Sequence, residues 1–202
     1  MGARMGTGHG SDQGTSVLSW IDNRRLAFPF LALVATLLIL TGRSAGLADP
    51  DYYWHLATGR LIAETGALPS TDPFSWTFGG EPWVLHEWVF QLGLFTVWRT
   101  TGAVGVLMAV VLATASAFYI VHAAADRLAG RPLVSLLVTL ACSGGMAMVA
   151  TPRPHLVSIL AFALLLSVFF GSKYHARCRP LLLAAPVMLV WVNAHGGFMI
   201  GL

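Results

Sequence analysis

Long stretches without a charged residue alternate with short polar segments along the 202 residues of the chain. At about 1.5 Å of rise per residue, a helix over each stretch reaches roughly 25 Å or more, close to the ~30 Å of a bilayer's hydrocarbon core. The pattern therefore predicts an all-α fold, a polytopic membrane helical bundle. The predicted spans lie near 26–43, 101–123, 132–151, 154–171 and 180–195.

A longer polar connection, residues 44–100, separates the first predicted span from the second. Asp49-Pro50 is typical of an N-cap followed by proline in the first helical turn, and Gly66 is typical of a helix end. This predicts a helix of about 14 residues, followed by turns rich in proline and glycine. Val84–Trp98 is apolar and aromatic but too short between its charges to cross a bilayer, which predicts a second, interfacial helix.

The composition agrees with a membrane domain over 26–202. Only 10% of the residues are charged and 56% are hydrophobic, whereas an average soluble domain has roughly 25% charged residues. The net charge of +3 does not indicate a nucleic-acid partner, because the basic residues form no stripe. Residues 1–25 are rich in glycine and polar residues and predict a disordered cytoplasmic tail. A signal peptide is the alternative for the first span, but its apolar run favours a retained anchor.

The basic residues also predict the orientation of the chain. Basic residues concentrate on the cytoplasmic side of membrane proteins. When 44–100 lies outside and its second helix rests on the surface, eight of the twelve basic residues fall inside. These are Arg4, Arg24, Arg25, Arg127, Arg131, Lys173, Arg177 and Arg179. We therefore expect a multi-pass protein of the cell membrane with a cytoplasmic N-terminus.

This topology gathers polar residues on the extracytoplasmic side, although it was derived from the basic residues alone. Ionisable groups at the edge of a membrane are costly, so they are candidates for a functional site. The candidates are Asp49, Asp51, His55, His86, Glu87, Arg153, His155, Asn193 and His195.

Asp49 and Asp51 are the candidate catalytic residues. A carboxylate at a helix N-terminus stays ionised, so it can accept a proton from a hydroxyl or hold a divalent cation against a phosphate. The simpler alternative is that Asp49 only caps its helix. Arg153 lies between two prolines and can bind a phosphate with two parallel hydrogen bonds, or it can simply stabilise a tight turn.

The other candidates are predicted to bind substrate. His86 and Glu87 lie beside Trp83 and Trp88, a composition typical of lipid headgroup depth, and an aromatic anchor is an equal alternative. Asn193 and His195 precede a glycine pair, so they can donate hydrogen bonds to a closely approaching ligand or simply end a helix. A metal site built on the histidines is less favoured, because no pair has metal-type spacing on one helix.

Several short motifs resemble those of the GT-C glycosyltransferases, which include protein O-mannosyltransferases and the aminoarabinose transferase of lipid A. The first extracytoplasmic loop of that superfamily is similar to Asp49-Pro-Asp-Tyr-Tyr-Trp-His-Leu-Ala57. Further phrases similar to bacterial members are Asp-Pro-Phe-Ser at 72–75, His-Glu-Trp at 86–88, Arg-Pro-His at 153–155 and Trp-Val-Asn-Ala-His-Gly-Gly-Phe at 191–198.

The resemblance implies transfer of a hexosyl or pentosyl group from a polyprenyl-phosphate donor to a lipid, glycan or protein outside the cytoplasm. Asp49 matches the position of the family's catalytic aspartate, and Asp51 is the second choice. Members of the family are longer, so we expect this chain to correspond to an N-terminal portion. The alternative function is non-enzymatic binding or transport of a lipid-linked or anionic substrate.

Overall fold

The computed structural model of the chain describes residues 30–37, 49–145, 150–175 and 182–202. Within these ranges the regular secondary structure is helical and includes no strand, which confirms the predicted all-α class for the described residues. The predicted tail, 1–25, and most of the first predicted span lie outside them. The elements are α1 (30–37), α2 (Pro50–Thr65), α3 (Trp88–Ala129), α4 (Pro132–Ser143), α5 (His155–His175), α6 (Ala184–Val192) and a 3-10 helix (Gly196–Gly201).

Helix α2 begins and ends where the sequence predicts. The Asp49 side chain accepts a hydrogen bond from the Asp51 N–H, Pro50 occupies the first turn, and Gly66 ends the helix at φ 67°. That φ is in the left-handed region, which glycine adopts without strain. The predicted cap role of Asp49 is confirmed.

Helix α3 joins two predicted elements and corrects the start of the first. The interfacial helix predicted at 84–98 begins at Trp88 instead. Before it, Trp83 belongs to a hairpin in which its N–H donates to the Ser70 carbonyl, and residues 84–87 are not helical. The helix breaks at Gly102, with φ 68° and ψ −165°, and then continues to Ala129 instead of ending near 123. A shorter half, 88–101, and a long apolar half, 103–129, are thus separated by one glycine.

Among the described helices, α3 is the one that is both long and apolar enough to cross a membrane. Of the predicted spans 132–151 and 180–195, residues 146–149 and 180–181 lie outside the described ranges. Within them, α4 ends at Ser143 and α6 covers Ala184–Val192, so both helices are shorter than the predicted spans. The apolar composition continues past Ser143, so composition alone did not locate the end of α4. The span predicted at 154–171 corresponds to α5, which begins at His155.

Helix α3 is the centre of the packing, in contact with α2, α4 and α5. The contact with α2 is especially close at Gly59, where an added Cβ would lie 2.0 Å from the backbone oxygen of Gln91. Tyr52, Leu94 and Val106 form a buried cluster at the same contact. Only glycine at position 59 allows α2 to lie this near the start of α3. The contact therefore sets where the polar side chains of α2 lie relative to α3.

Candidate polar site at the helix ends

The Arg153 side chain joins the two candidate catalytic carboxylates. Its Nε donates to Asp49 Oδ2, its Nη2 donates to Asp49 Oδ1 at 2.6 Å, and the same Nη2 lies 3.1 Å from Asp51 Oδ2. The Asp49 pair is the bidentate arrangement that a guanidinium fork favours. The hydrogen bonds from Arg153 hold the pKa of Asp49 below its usual value, and the same pairing raises the pKa of Arg153.

A cavity of about 350 Å³ lies beside this ion pair. It brings together side chains from the N-terminal turns of α2 and α5, the residue before α3, and the segment after α6. Its polar lining residues are Asp51, His55, Glu87, Arg153, His155 and His195. Six of the nine candidate residues thus line one cavity. Asp49 is not among them, but it binds Arg153, which is.

His55 is a buried, neutral histidine on the α2 face that packs against α3. Burial lowers its pKa to about 4. The Gln91 side-chain amide lies 3.2 Å from His55 Nδ1, so the amide N–H donates and the ring proton resides on Nε2. A neutral ring with its proton on Nε2 can donate one hydrogen bond to a ligand in the cavity.

His195 is held by a chain of hydrogen bonds after the end of α6. The Trp191 indole donates to Ser158 Oγ at 2.6 Å, and Ser158 Oγ lies 2.7 Å from His195 Nδ1. The Gly197 N–H also donates to Nδ1, so this nitrogen is an acceptor and the ring proton is on Nε2. Burial lowers the pKa of His195 and favours its neutral form.

Glu87 is the N-cap residue of α3 and its side chain is 16% exposed. Its two oxygens lie 3.8 Å from His55 Nδ1 and from His86 Nε2, respectively, too far for hydrogen bonds. Burial raises the pKa of Glu87 above its usual value. This carboxylate therefore differs from Asp49, which two guanidinium nitrogens bind.

His86 and Asn193 lie outside the set of residues that line the cavity. The His86 side chain is 62% exposed at its rim. Asn193 accepts from the Trp88 indole through Oδ1, and its Nδ2 donates to the Leu189 carbonyl. With both amide groups bonded inside the protein, Asn193 holds the end of α6 against the start of α3.

A second cavity, of about 290 Å³, is lined by apolar residues, most of them on α3, α5 and α6. Some of its lining residues are direct neighbours of residues that line the polar cavity. Pro152 lines the apolar cavity beside Arg153, Ala194 lines it beside His195, and the Phe90 ring lies 5.5 Å from the His55 ring. A polar cavity and an apolar cavity are thus lined by neighbouring residues.

Several residues of the site are absent from the sequence-based candidates, notably Gln91, Ser158 and Trp191, which orient the two histidines. A glutamine inside the apolar stretch 88–98 was the signal available for the first. For the predicted divalent cation, the described residues contain no group of three His, Cys, Asp or Glu side chains arranged to hold a metal. Comparisons with models of protein families, with curated proteins and with solved structures found no match to this chain.

Proposed function

We propose that this chain is a GT-C-type membrane glycosyltransferase, or the N-terminal part of one, which transfers a sugar from a polyprenyl-phosphate donor to a hydroxyl acceptor outside the cytoplasm. The observation that carries the proposal is that neighbouring residues line a polar cavity and an apolar cavity. A lipid-linked sugar phosphate has the same division between an anionic, hydroxyl-rich head and an apolar chain.

The residues of both cavities match the parts of such a donor. The lining of the second cavity offers only apolar contacts to an isoprenoid chain. Arg153 uses Nε and Nη2 for the two aspartates. Within the described residues, none of its hydrogen bonds or ion pairs involves Nη1, which leaves Nη1 for a phosphate oxygen. The Nε2–H groups of His55 and His195 add neutral donors for phosphate or sugar oxygens.

The long half of α3 supports association with a membrane. The uncharged stretches and the distribution of basic residues along the sequence support a multi-pass arrangement with a cytoplasmic N-terminus. In that arrangement the polar cavity opens at the outer face of the membrane. Polyprenyl-linked sugars present their heads at this depth, where aromatic residues such as Trp54 and Trp88 are favoured.

The proposed reaction needs no redox partner. An acceptor hydroxyl oxygen forms a bond to the anomeric carbon, the bond from that carbon to the phosphate oxygen breaks, and polyprenyl phosphate leaves with the electron pair. The acceptor proton passes to a carboxylate. By the resemblance, this carboxylate is Asp49, with Asp51 as second choice. Arg153 stabilises the negative charge that accumulates on the departing phosphate.

The test is sugar transfer by the purified chain in proteoliposomes, with a radiolabelled polyprenyl-phosphate sugar as donor. Asp49→Asn is the informative variant, because asparagine is as good an N-cap as aspartate and only the charge is removed. We expect less product at a donor concentration below the wild-type KM, whereas Glu64→Gln, in an exposed pair with Arg60, keeps the wild-type yield. A wild-type yield from Asp49→Asn at that donor concentration would refute the role of Asp49, and no product from the wild type would refute the function.

Binding without chemistry is the second candidate, and one observation favours it. Both aspartates are paired with Arg153, which makes Asp49 a weak base. A binding protein would retain the labelled donor in the same proteoliposomes, with Arg153 and the histidines as contacts, and would release it unchanged.

A further inference from the structure

The three carboxylates near the cavity have different environments. Asp49 is bonded to Arg153 through both oxygens and also accepts the Asp51 N–H. Asp51 lies 3.1 Å from the same guanidinium and its side chain is 54% exposed. A base that must take a proton from a hydroxyl is least effective when a guanidinium already stabilises its anion. Neither aspartate is well prepared for that task.

Glu87 has the opposite environment. It lines the cavity, and none of its ion-pair or hydrogen-bond contacts in the described ranges is with a lysine or arginine. Its neighbour His55 cannot donate to it through Nδ1, because this nitrogen accepts from Gln91. The Glu87 oxygens are therefore free to accept a hydrogen bond from a hydroxyl in the cavity.

The position of Glu87 is also fixed by the backbone. Glu87 is the residue before the first turn of α3, and its backbone carbonyl accepts a hydrogen bond from the Gln91 N–H. In the same turn, the Val89 N–H donates to the backbone carbonyl of Asn193. Gln91 in turn holds the His55 ring, and Asn193 holds the end of α6. The carboxylate thus lies near the contacts of α3 with α2 and with the segment after α6, and it lines the same cavity as Arg153.

We propose that Glu87 is a further catalytic residue, the general base that takes the proton from the acceptor hydroxyl, and that Asp49 is a positioning residue that acts through Arg153. The proposal rests on the function proposed above. In the transfer step, the hydroxyl proton moves to a Glu87 oxygen while the acceptor oxygen bonds to the anomeric carbon. Polyprenyl phosphate leaves toward Arg153 with the electron pair of the broken bond.

Charged and titratable groups surround Glu87 from each neighbouring element. Burial is the main cause of its raised pKa, the nearby His86 opposes it and Asp51 adds to it. A pKa raised toward neutral pH makes a carboxylate a stronger base, and a general base is most effective when its pKa lies near the working pH. The groups around the cavity are Asp51 and His55 on α2, His86 before α3, Arg153 and His155 at α5, and His195 after α6.

The experiment compares Glu87→Gln, Asp49→Asn and the control Glu81→Gln in the proteoliposome assay, with kcat and KM measured across pH. Glu81 lies in the exposed hairpin, outside the cavity, so its variant tests the loss of a nearby charge alone. We expect Glu87→Gln to lower kcat by about 100-fold or more with little change in KM, and to abolish the acidic limb of the kcat profile. Asp49→Asn should mainly raise KM and keep the limb.

Two outcomes would overturn the proposal while the wild type still transfers sugar. One is a Glu87→Gln enzyme with wild-type kcat and an unchanged acidic limb, and the other is a limb that disappears in Asp49→Asn instead. A folding defect is recognised independently, because donor binding by Glu87→Gln at wild-type affinity shows an intact site. A Glu87→Gln protein that fails to bind would be replaced by Glu87→Asp, whose retained carboxylate should restore part of the turnover. No product from the wild type would instead reject the function itself.

Discussion

Gly59 offers a direct test of how the site is held together. In Gly59→Ala, the new Cβ would lie 2.0 Å from the Gln91 oxygen and 2.6 Å from the Gln91 carbonyl carbon, both backbone atoms. Ordinary contact begins near 3.4 Å, so α2 and α3 must separate by roughly 1.4 Å at this point. Backbone atoms cannot rotate away as a side chain would.

Two effects of opposite sign compete in this variant. Alanine is more favourable than glycine inside a helix by about 1 kcal/mol. Overpacking costs about 1 to 3 kcal/mol, and a separation of the helices also weakens the 3.2 Å contact of Gln91 with His55. A lost hydrogen bond to a buried group adds about 1 kcal/mol or more. We therefore expect a net destabilisation of about 1 to 3 kcal/mol.

The assay is reversible unfolding of the purified chain in detergent, followed by tryptophan fluorescence. Gly144→Ala is the matched control, because Gly144 has right-handed helical angles and an added Cβ there meets no atom of the described residues within 4 Å. We expect the control to be neutral or slightly stabilised. If Gly59→Ala were as stable as Gly144→Ala, the close approach of α2 and α3 would be wrong.

Three further predictions concern the polar site. Burial lowers the folded-state pKa of His55 from 6.5 to about 4, so the unfolded chain binds more protons between these two pH values. The free energy of unfolding should therefore fall as the pH drops through this window, by about 3 kcal/mol at most. His55→Gln should flatten this part of the profile of stability against pH. Arg153→Lys loses the bidentate contact with Asp49 and should cost about 1 kcal/mol in the same unfolding assay, whereas Arg60→Lys, in an exposed pair, should cost close to nothing. Ser158→Ala removes the acceptor of the buried Trp191 indole and should cost about 1 to 3 kcal/mol of unfolding free energy. It should also change the ¹⁵N chemical shifts of the His195 ring toward a mixture of tautomers. Unchanged shifts would contradict the hydrogen bonds that link Trp191, Ser158 and His195.

Local signals in the sequence were sufficient for some elements. The caps of α2 depend on neighbouring residues, so Asp49, Pro50 and Gly66 predicted its ends well. The distribution of charge also predicted that polar residues from distant segments would lie near one another. These signals need no knowledge of what packs against them.

Other features depend on contacts that a single sequence does not reveal. Nothing local marks Gly59 as the point of closest approach, since the oxygen it faces belongs to residue 91. The pairing of Arg153 with Asp49 likewise needed the fold. The end of α4 was misplaced because an apolar residue can follow a helix as easily as continue it.

The link between Asp49 and Arg153 joins positions 104 residues apart. At a synthesis rate of roughly 5–20 residues per second, Arg153 would emerge about 5 to 20 seconds after Asp49. During that interval the first carboxylate is on the nascent chain without its guanidinium partner. The ion pair that closes the site is thus a late event of biosynthesis, and α2 can dock on α3 before any substrate-binding geometry exists.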